Sequence, residues 1–371
     1  MAEPDATLQS RIVEARALTL EWLDGMQRPG APRGVSRSSE VHDPGAWPGV
    51  LLPGTYNAVL CRTLLGGLAD WTETERAALA SWLSGHRRSD GVFRIPGMAA
   101  AETYKTPDFA ETWRYIDWHV TGYSLAAIEA LTPAARPNLA FARPFLDPLT
   151  LKAWLSDRDL RDPWREGNNV VNLGGFYLAM RRHGIATKAE VSHIIAALFD
   201  WHDRMQEPAT GFWGVNQGDP TGALHAMAGS MHNFHLFYAE GRTVPHHDRA
   251  IDYALAQATG ATTACIDVDL VDLLVHGHAL RHHRRPAIVD WCRGKLAALL
   301  TIQQPDGGFY DELAGVRRLD GWVRGYVEHQ GLSNTFATWF RWIAIAMIAD
   351  LLWPGWQPWG YRREIGIGYR A

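Results

Sequence analysis

Two kinds of segment alternate along the chain, told apart by how their apolar positions repeat. The first is a plain amphipathic helix. From Thr187 to Met205 apolar residues fall at Val191, Ile194, Ile195, Leu198 and Phe199, one face of a 3.6-residue period. Thr187 with Glu190 predicts a capping box ahead of it, and Thr72 with Glu75 predicts another ahead of the helix through Leu79 and Trp82. Pro286 stands where a first-turn proline opens a helix through Ile288, Cys292, Leu296 and Leu299. The second kind is more apolar and begins with polar residues. Its members are Thr55-Tyr56-Asn57, Asp117 to Tyr123, Asn169 to Asn172, Met231 to His235, Asp267 to Leu273, and Leu332 to Thr335.

Glycine-aromatic turns punctuate the pattern. They read Asp90-Gly91-Val92-Phe93, Thr210-Gly211-Phe212-Trp213 and Asp306-Gly307-Gly308-Phe309-Tyr310, each just after a helix carrying a tryptophan. Asp-Gly and Thr-Gly supply the positive φ of a tight turn, and their recurrence marks an internal repeat. About six polar-start helices interleaved with about six amphipathic ones form stacked pairs. The expectation is an all-α chain, a single (α/α)6-type toroid (a barrel) over residues 1–371. Gln27 to Pro53 would be a loop able to cover the pocket, and 353–371 a carboxy-terminal strap that its prolines keep from being helical. The amino ends of the inner helices, with free N–H groups and partial positive charge, would then gather at one central pocket.

Bulk properties narrow this little. A net charge of −4 without a long basic run argues against nucleic acid, and His282-His283-Arg284-Arg285 reads as a solvated helix end. Three scattered cysteines fit a reducing compartment. The first ten residues lack an apolar signal core, and the longest apolar run, Ile343 to Trp353, is too short to span a membrane. These features lead to the expectation of a soluble, cytoplasmic protein. Seventeen tryptophans call for thick helix packing or an aromatic-lined pocket.

The turns, above all Gln303-Gln304-Pro305-Asp306-Gly307-Gly308-Phe309, resemble the glutamine-to-aromatic repeat of the terpenoid cyclase and protein prenyltransferase toroid superfamily. The resemblance runs from about Asn57 to Ala344 and implies an α/α toroid with a central active site. Class II cyclases of that superfamily protonate an alkene with the middle aspartate of Asp-x-Asp-Asp. Asp267-Val268-Asp269-Leu270 is similar, with Leu270 in the last position, so the resemblance implies Asp269 as the acid and Asp267 as its neighbour.

The candidate site follows from both readings. Asp267, Asp269 and Asp272 crowd one helix start, so one carboxyl should hold its proton and could serve as a general acid. The same trio could hold Mg²⁺ or Ca²⁺ through oxygen ligands, or be structural, with Asp267 capping and Asp272 paired to a cation. Asp117 and His119 exceed what one cap needs, whereas Asn57 and Asn334 do not. His232 and His235, at i, i+3, could bind or orient. Asn169, Asn172 and Glu328 would face the same rim, and Trp113, Trp118, Tyr123, Trp213 and Tyr310 could wall it. The expected function is acid-base chemistry, either cyclisation or isomerisation of an isoprenoid (isomerase or lyase), or hydrolysis, elimination or epimerisation of a carbohydrate. A non-catalytic scaffold is the third reading. The expected partner is a small molecule or oligosaccharide.

Overall fold

The computed structural model describes residues 5–95, 112–214, 222–312, 316–318, 326–329 and 331–357; within these, the side chains of 112–114, 316–318 and 327–329 are not described. The fold is predominantly helical. In chain order the helices are α1 (Asp5–Gly25), α2 (Leu51–Leu64), α3 (Glu73–Ser84), α4 (Thr112–Leu131), α5 (Pro148–Ser156), α6 (Pro163–Arg182), α7 (Lys188–Met205), α8 (Gly222–Ala239), α9 (His247–Leu255), α10 (Ala264–Leu280), α11 (Arg285–Thr301) and α12 (Thr335–Leu352). Two short antiparallel strand pairs, β1 (Gln206–Glu207) with β2 (Phe212–Trp213) and β3 (Val316–Arg318) with β4 (Val327–His329), and two short 3-10 turns, Pro48–Val50 and Ala140–Leu146, complete the described elements.

Local signals act where the sequence places them. Thr72 and Thr187 each accept from the N–H of a glutamate whose carboxylate returns to the cap, closing both boxes in front of α3 and α7. Pro286 lies in the first turn of α11. The glycine at the head of each turn has positive φ: +102° at Gly91, +77° at Gly211 and +96° at Gly307. A side chain would be excluded there on a second count, since a Cβ on Gly307 would lie 2.3 Å from the Leu18 carbonyl oxygen.

The even-numbered helices form the core and the odd-numbered ones cover it. α2 packs on α4, α4 on α6, α6 on α8, α8 on α10, α10 on α12, and α12 returns to α2. Outside them, α3 lies on α4, α7 on α6, α9 on α10, and α11 on α10 and α12, with α1 laid over α11. The closest approach is between α6 and α8, where a Cβ on Gly229 would meet the Pro163 carbonyl oxygen at 2.1 Å and one on Gly167 the Gly229 carbonyl oxygen at 2.2 Å.

The structure adds detail to two sequence expectations. Among the described residues α12 is long and apolar enough to cross a membrane by length and composition, longer than Ile343 to Trp353 because it starts at Thr335 and takes in Trp339, Phe340 and Trp342. It is mostly buried between neighbouring core helices, so its apolarity already has a partner. The basic cluster at the α10–α11 junction is paired with acids of α9: Arg281 with Asp248, and His283 and Arg284 with Asp252.

Candidate functional site

One structural position recurs in each core helix. A side-chain oxygen in its first half accepts a backbone N–H from the connection before it. In α2 the Ser36 N–H donates to Thr55 Oγ1 (3.0 Å), in α4 Phe93 to Thr121 Oγ1 (2.9 Å), in α8 Trp213 to Ser230 Oγ (2.9 Å), and in α12 Phe309 to Thr338 Oγ1 (2.9 Å). The donors at Phe93, Trp213 and Phe309 are the aromatics of the three turns, so this bond ties each turn to the next core helix. The other two connections lack the turn, and there a carboxylate replaces the hydroxyl. Asp159 N–H donates to Glu166 (3.3 Å) in α6, and Thr262 N–H to Asp267 (3.0 Å) in α10.

Residues two before and two after this anchor share a helix face with each other, at i and i+4. That face lines a cavity of about 220 Å³. α2 contributes Pro53 and Asn57, α4 His119 and Tyr123, α6 Trp164 and Asn168, α10 Cys265 and Asp269, and α12 Phe336 and Phe340, while α8 supplies only the later residue, His232. All six core helices therefore reach the cavity, as do Tyr56, Tyr115 and Ser38. Ser38 lies in the segment between α1 and α2. That segment is fastened over the rim by a bridge between Ser39 and Asn334, by Thr335 N–H donating to the Ser38 carbonyl (2.8 Å), and by a hydrogen bond between the Ser38 and Tyr326 hydroxyls (2.8 Å).

The anchor register separates the three aspartates. Asp269 faces the cavity, fully buried, with Oδ2 lacking a hydrogen-bond partner among the described residues. Burial, then the charges of Asp272 and Asp267, push its carboxyl well above the usual range, which favours its protonated form. Asp267, expected in the catalytic set, is instead the anchor of α10. It forms ion pairs with Lys295 (2.7 Å) and Arg341, and accepts from the Thr262 hydroxyl and N–H. Asp272, also expected there, lies behind the cavity wall, with its Oδ1 3.0 Å from His235 Nε2 and 3.2 Å from His276 Nδ1. Burial opposes its charge, but the two imidazoles outweigh this and hold its carboxyl far below the usual range. The three carboxylates thus point three ways. Asp267 has its oxygens on cationic partners, and the described residues contain no cluster of His, Cys, Asp or Glu able to hold a metal ion.

His119 and His232 both line the cavity. Burial drives His119 down to about 3, against a hydrogen bond with Asn168 that favours its charge. His232 is likewise pushed well below its usual value, by burial and then by His235 and His119. Tyr123 packs edge-on against His119 at 4.5 Å and Trp339 at 5.0 Å, with its phenol raised by burial. Three buried lining oxygens besides Asp269 Oδ2, namely Asn57 Oδ1, Asn168 Oδ1 and Thr335 Oγ1, lack partners among the described residues.

Other expected site residues lie elsewhere. Asp117 pairs with Arg94 instead of entering the cavity, and its carbonyl accepts from the anchor hydroxyl Thr121. Trp118 packs against Phe141, Phe145, Trp154 and Phe176 on the far side of α4. Trp213 is a core residue whose indole donates to the His202 carbonyl, and Tyr310 is buried away from the lining. Asn169 donates to the anchor Glu166, Asn172 borders a separate shallow groove between α4 and α6, and His235 stands behind His232. The side chains of Trp113 and Glu328 fall outside the described residues. Conversely Asn57, read as an ordinary cap, lines the cavity one turn inside α2, while Asn334 does cap α12 by accepting from Ala337. Trp164, Asn168, Phe336 and Phe340 were missed. The signal for them was their fixed offset from the anchor position.

No protein-family model matches the chain, and no curated protein does. Among solved structures, a protein from Actinoplanes is similar at a TM-score of 0.44 and 13% identity, over 92% of this chain and 99% of that one.

Proposed function

We propose that the cyclic order of the core helices is that of an (α/α)6 toroid, of the kind the terpenoid cyclase superfamily uses, and that the chain is an enzyme with Asp269 as its acid. One observation carries the reading. Among the described residues Asp269 is the one carboxyl lining the cavity, and it is buried, shifted toward its protonated form and short of a partner for Oδ2. A carboxyl kept protonated at neutral pH is a proton donor in waiting. Facing it are the aromatic rings of Tyr56, Tyr115, Trp164, Phe336 and Phe340, which stabilise positive charge through their π faces.

The chemistry this supports is isomerisation or cyclisation of a small unsaturated substrate. The Asp269 proton is taken by the π pair of a carbon–carbon double bond, forming a C–H bond and leaving a cation on the neighbouring carbon. Loss of another proton from the cation to a neutral imidazole, His119 or His232, re-forms a double bond. The cavity is smaller than the roughly 300–1,000 Å³ of common ligand pockets, which favours a short substrate over a long polyprenyl chain. Glycoside cleavage uses two carboxyls flanking the scissile bond, and the described lining supplies one.

The test is turnover of a panel of short prenyl alcohols, their diphosphates and uronic-acid oligosaccharides, with Asp269→Asn alongside. The expected result is product from an unsaturated apolar substrate, with turnover cut about 10²- to 10⁴-fold in the variant. Equal turnover by both proteins, or cleavage of oligosaccharide alone, overturns the proposal.

A further inference from the structure

Behind the cavity wall lies a second set of ionisable groups that the proposed chemistry does not use. His232 reaches the cavity, and its ring centroid is 6.5 Å from that of His235, one turn further along α8. His235 Nε2 is 3.0 Å from Asp272 Oδ1 on α10, and His276 Nδ1 is 3.2 Å from the same oxygen while also bonded to the Asp272 carbonyl at 2.9 Å. Tyr238 stacks on His276 at 4.1 Å and 10°, and its hydroxyl is 3.1 Å from His247 Nε2 on α9. Every member except Tyr238 is buried.

Burial of so many polar atoms is costly unless each finds a partner. Here His232 Nδ1, both His235 nitrogens and His276 Nε2 have no well-aligned hydrogen bond among the described residues. An uncharged core would not keep such a row, since apolar side chains of similar size would fill the space without that cost. A row that carries a proton has a use for nitrogens that can both take and release one. Asp272 supplies the fixed negative charge that such a proton needs in a dry interior.

We propose that His232, His235, Asp272 and His276 form a buried proton store, in which one imidazolium is held against the Asp272 carboxylate and exchanges its proton with the cavity through His232. The balance is simple. An imidazolium at His235 gives its proton to neutral His232 and becomes neutral, and the same transfer reversed returns a proton removed from the cavity. With the ring centroids 6.5 Å apart, the transfer requires one bridging water between them. The charged and titratable groups facing the row are His119 of α4 and Asp269 of α10 toward the cavity, and His247 of α9, with Arg281 and Asp248 beyond it, at the other end. The store deepens the acid-base reading of the cavity, but its existence is measurable without any substrate.

The test is nitrogen-15 NMR of the histidine side chains at pH 7 in the full chain, comparing wild type with Asp272→Asn, His235→Gln and His276→Gln. Wild type should show one imidazole of the row with both nitrogens protonated, and Asp272→Asn should abolish that signal while circular dichroism and melting remain cooperative. Should Asp272→Asn fail to fold, loss of the signal in either histidine variant carries the same information. If the imidazoles of His232, His235 and His276 are all neutral in wild type, or if an imidazolium survives in every folded variant, there is no store, whatever Asp269 does. With a turned-over substrate in hand, folded Asp272→Asn should lower kcat at least tenfold with KM unchanged. An unchanged kcat would also overturn the proposal.

Discussion

Asp267 and Asp269 are two residues apart and have opposite fates, because one points at Lys295 and Arg341 and the other at the cavity. Replacing each carboxyl by an amide should therefore do opposite things. Asp267→Asn leaves two buried cations short of their counter-ion, so stability should fall by about 3–5 kcal/mol in urea unfolding. Asp269 has a folded-state pKa raised above its unfolded value, so the folded chain binds more protons and stability falls as pH rises above about 3.9 toward that raised value. Asp269→Asn removes this penalty. The variant should gain stability relative to wild type at pH 7.5, with the advantage shrinking by pH 4.5; an advantage that grows on acidification would show that Asp269 is charged when folded. Cys265 lines the cavity and is part-exposed, whereas Cys61 and Cys292 are buried, the last with its thiol pushed up to about 12. A small alkylating reagent should label Cys265 first, as read by peptide mass mapping, and a ligand seated in the cavity should protect it.

The repeated element is a core helix with one anchor oxygen and a cavity face set two residues to either side of it. Thr121→Val or Thr338→Val would strand a buried N–H of Phe93 or Phe309, at a cost of about 1–3 kcal/mol in urea unfolding. Gly229→Ala drives a methyl into the Pro163 carbonyl, so α6 and α8 must part, and overpacking of this kind costs about 1–3 kcal/mol or more. Much of this element was legible. The capping boxes at Thr72 and Thr187, the first-turn Pro286 and the glycine-aromatic turns all rest on local backbone chemistry, which short stretches of sequence carry in full. The cavity face was harder, because the anchor is a hydroxyl in four helices and a carboxylate in Glu166 and Asp267. A carboxylate beside another carboxylate reads as chemistry, so Asp267 is drawn into the catalytic set, and Asp117 enters it because Asp117 with His119 exceeds what one cap needs. Only the spatial register shows that Asp267 is the counterpart of Thr55 and Ser230, while Asp269 corresponds to Asn57 and His232.

At the scale of the molecule, acid should be the weak flank. Burial lowers His119 to about 3 and His202 and His247 to about 4, against an ordinary 6.5. Each is neutral when folded and takes a proton on unfolding. The stability this secures is complete above about pH 6.5 and is lost as pH falls toward those values, at about 1.4 kcal/mol per pH unit for each group. Urea midpoints measured from pH 7 down to pH 4.5 should drop steeply, and His202→Gln should flatten the slope by one group's share, an unchanged slope counting against the buried neutral imidazole. The contact of α12 with α2 has a further consequence, for the order in which the chain is assembled. Helices adjacent in sequence can meet early, but here residues about three hundred positions apart are joined, as in the bridge between Ser39 and Asn334 and the Trp342 indole bonded to Thr19 on α1. The entropy of closing so long a loop is repaid only when α12 docks. Until then α2 and α10 each keep an apolar flank in water, and the cavity lacks Phe336 and Phe340. The binding site therefore comes into existence in the same step that ends folding, which makes ligand binding a reporter of that step.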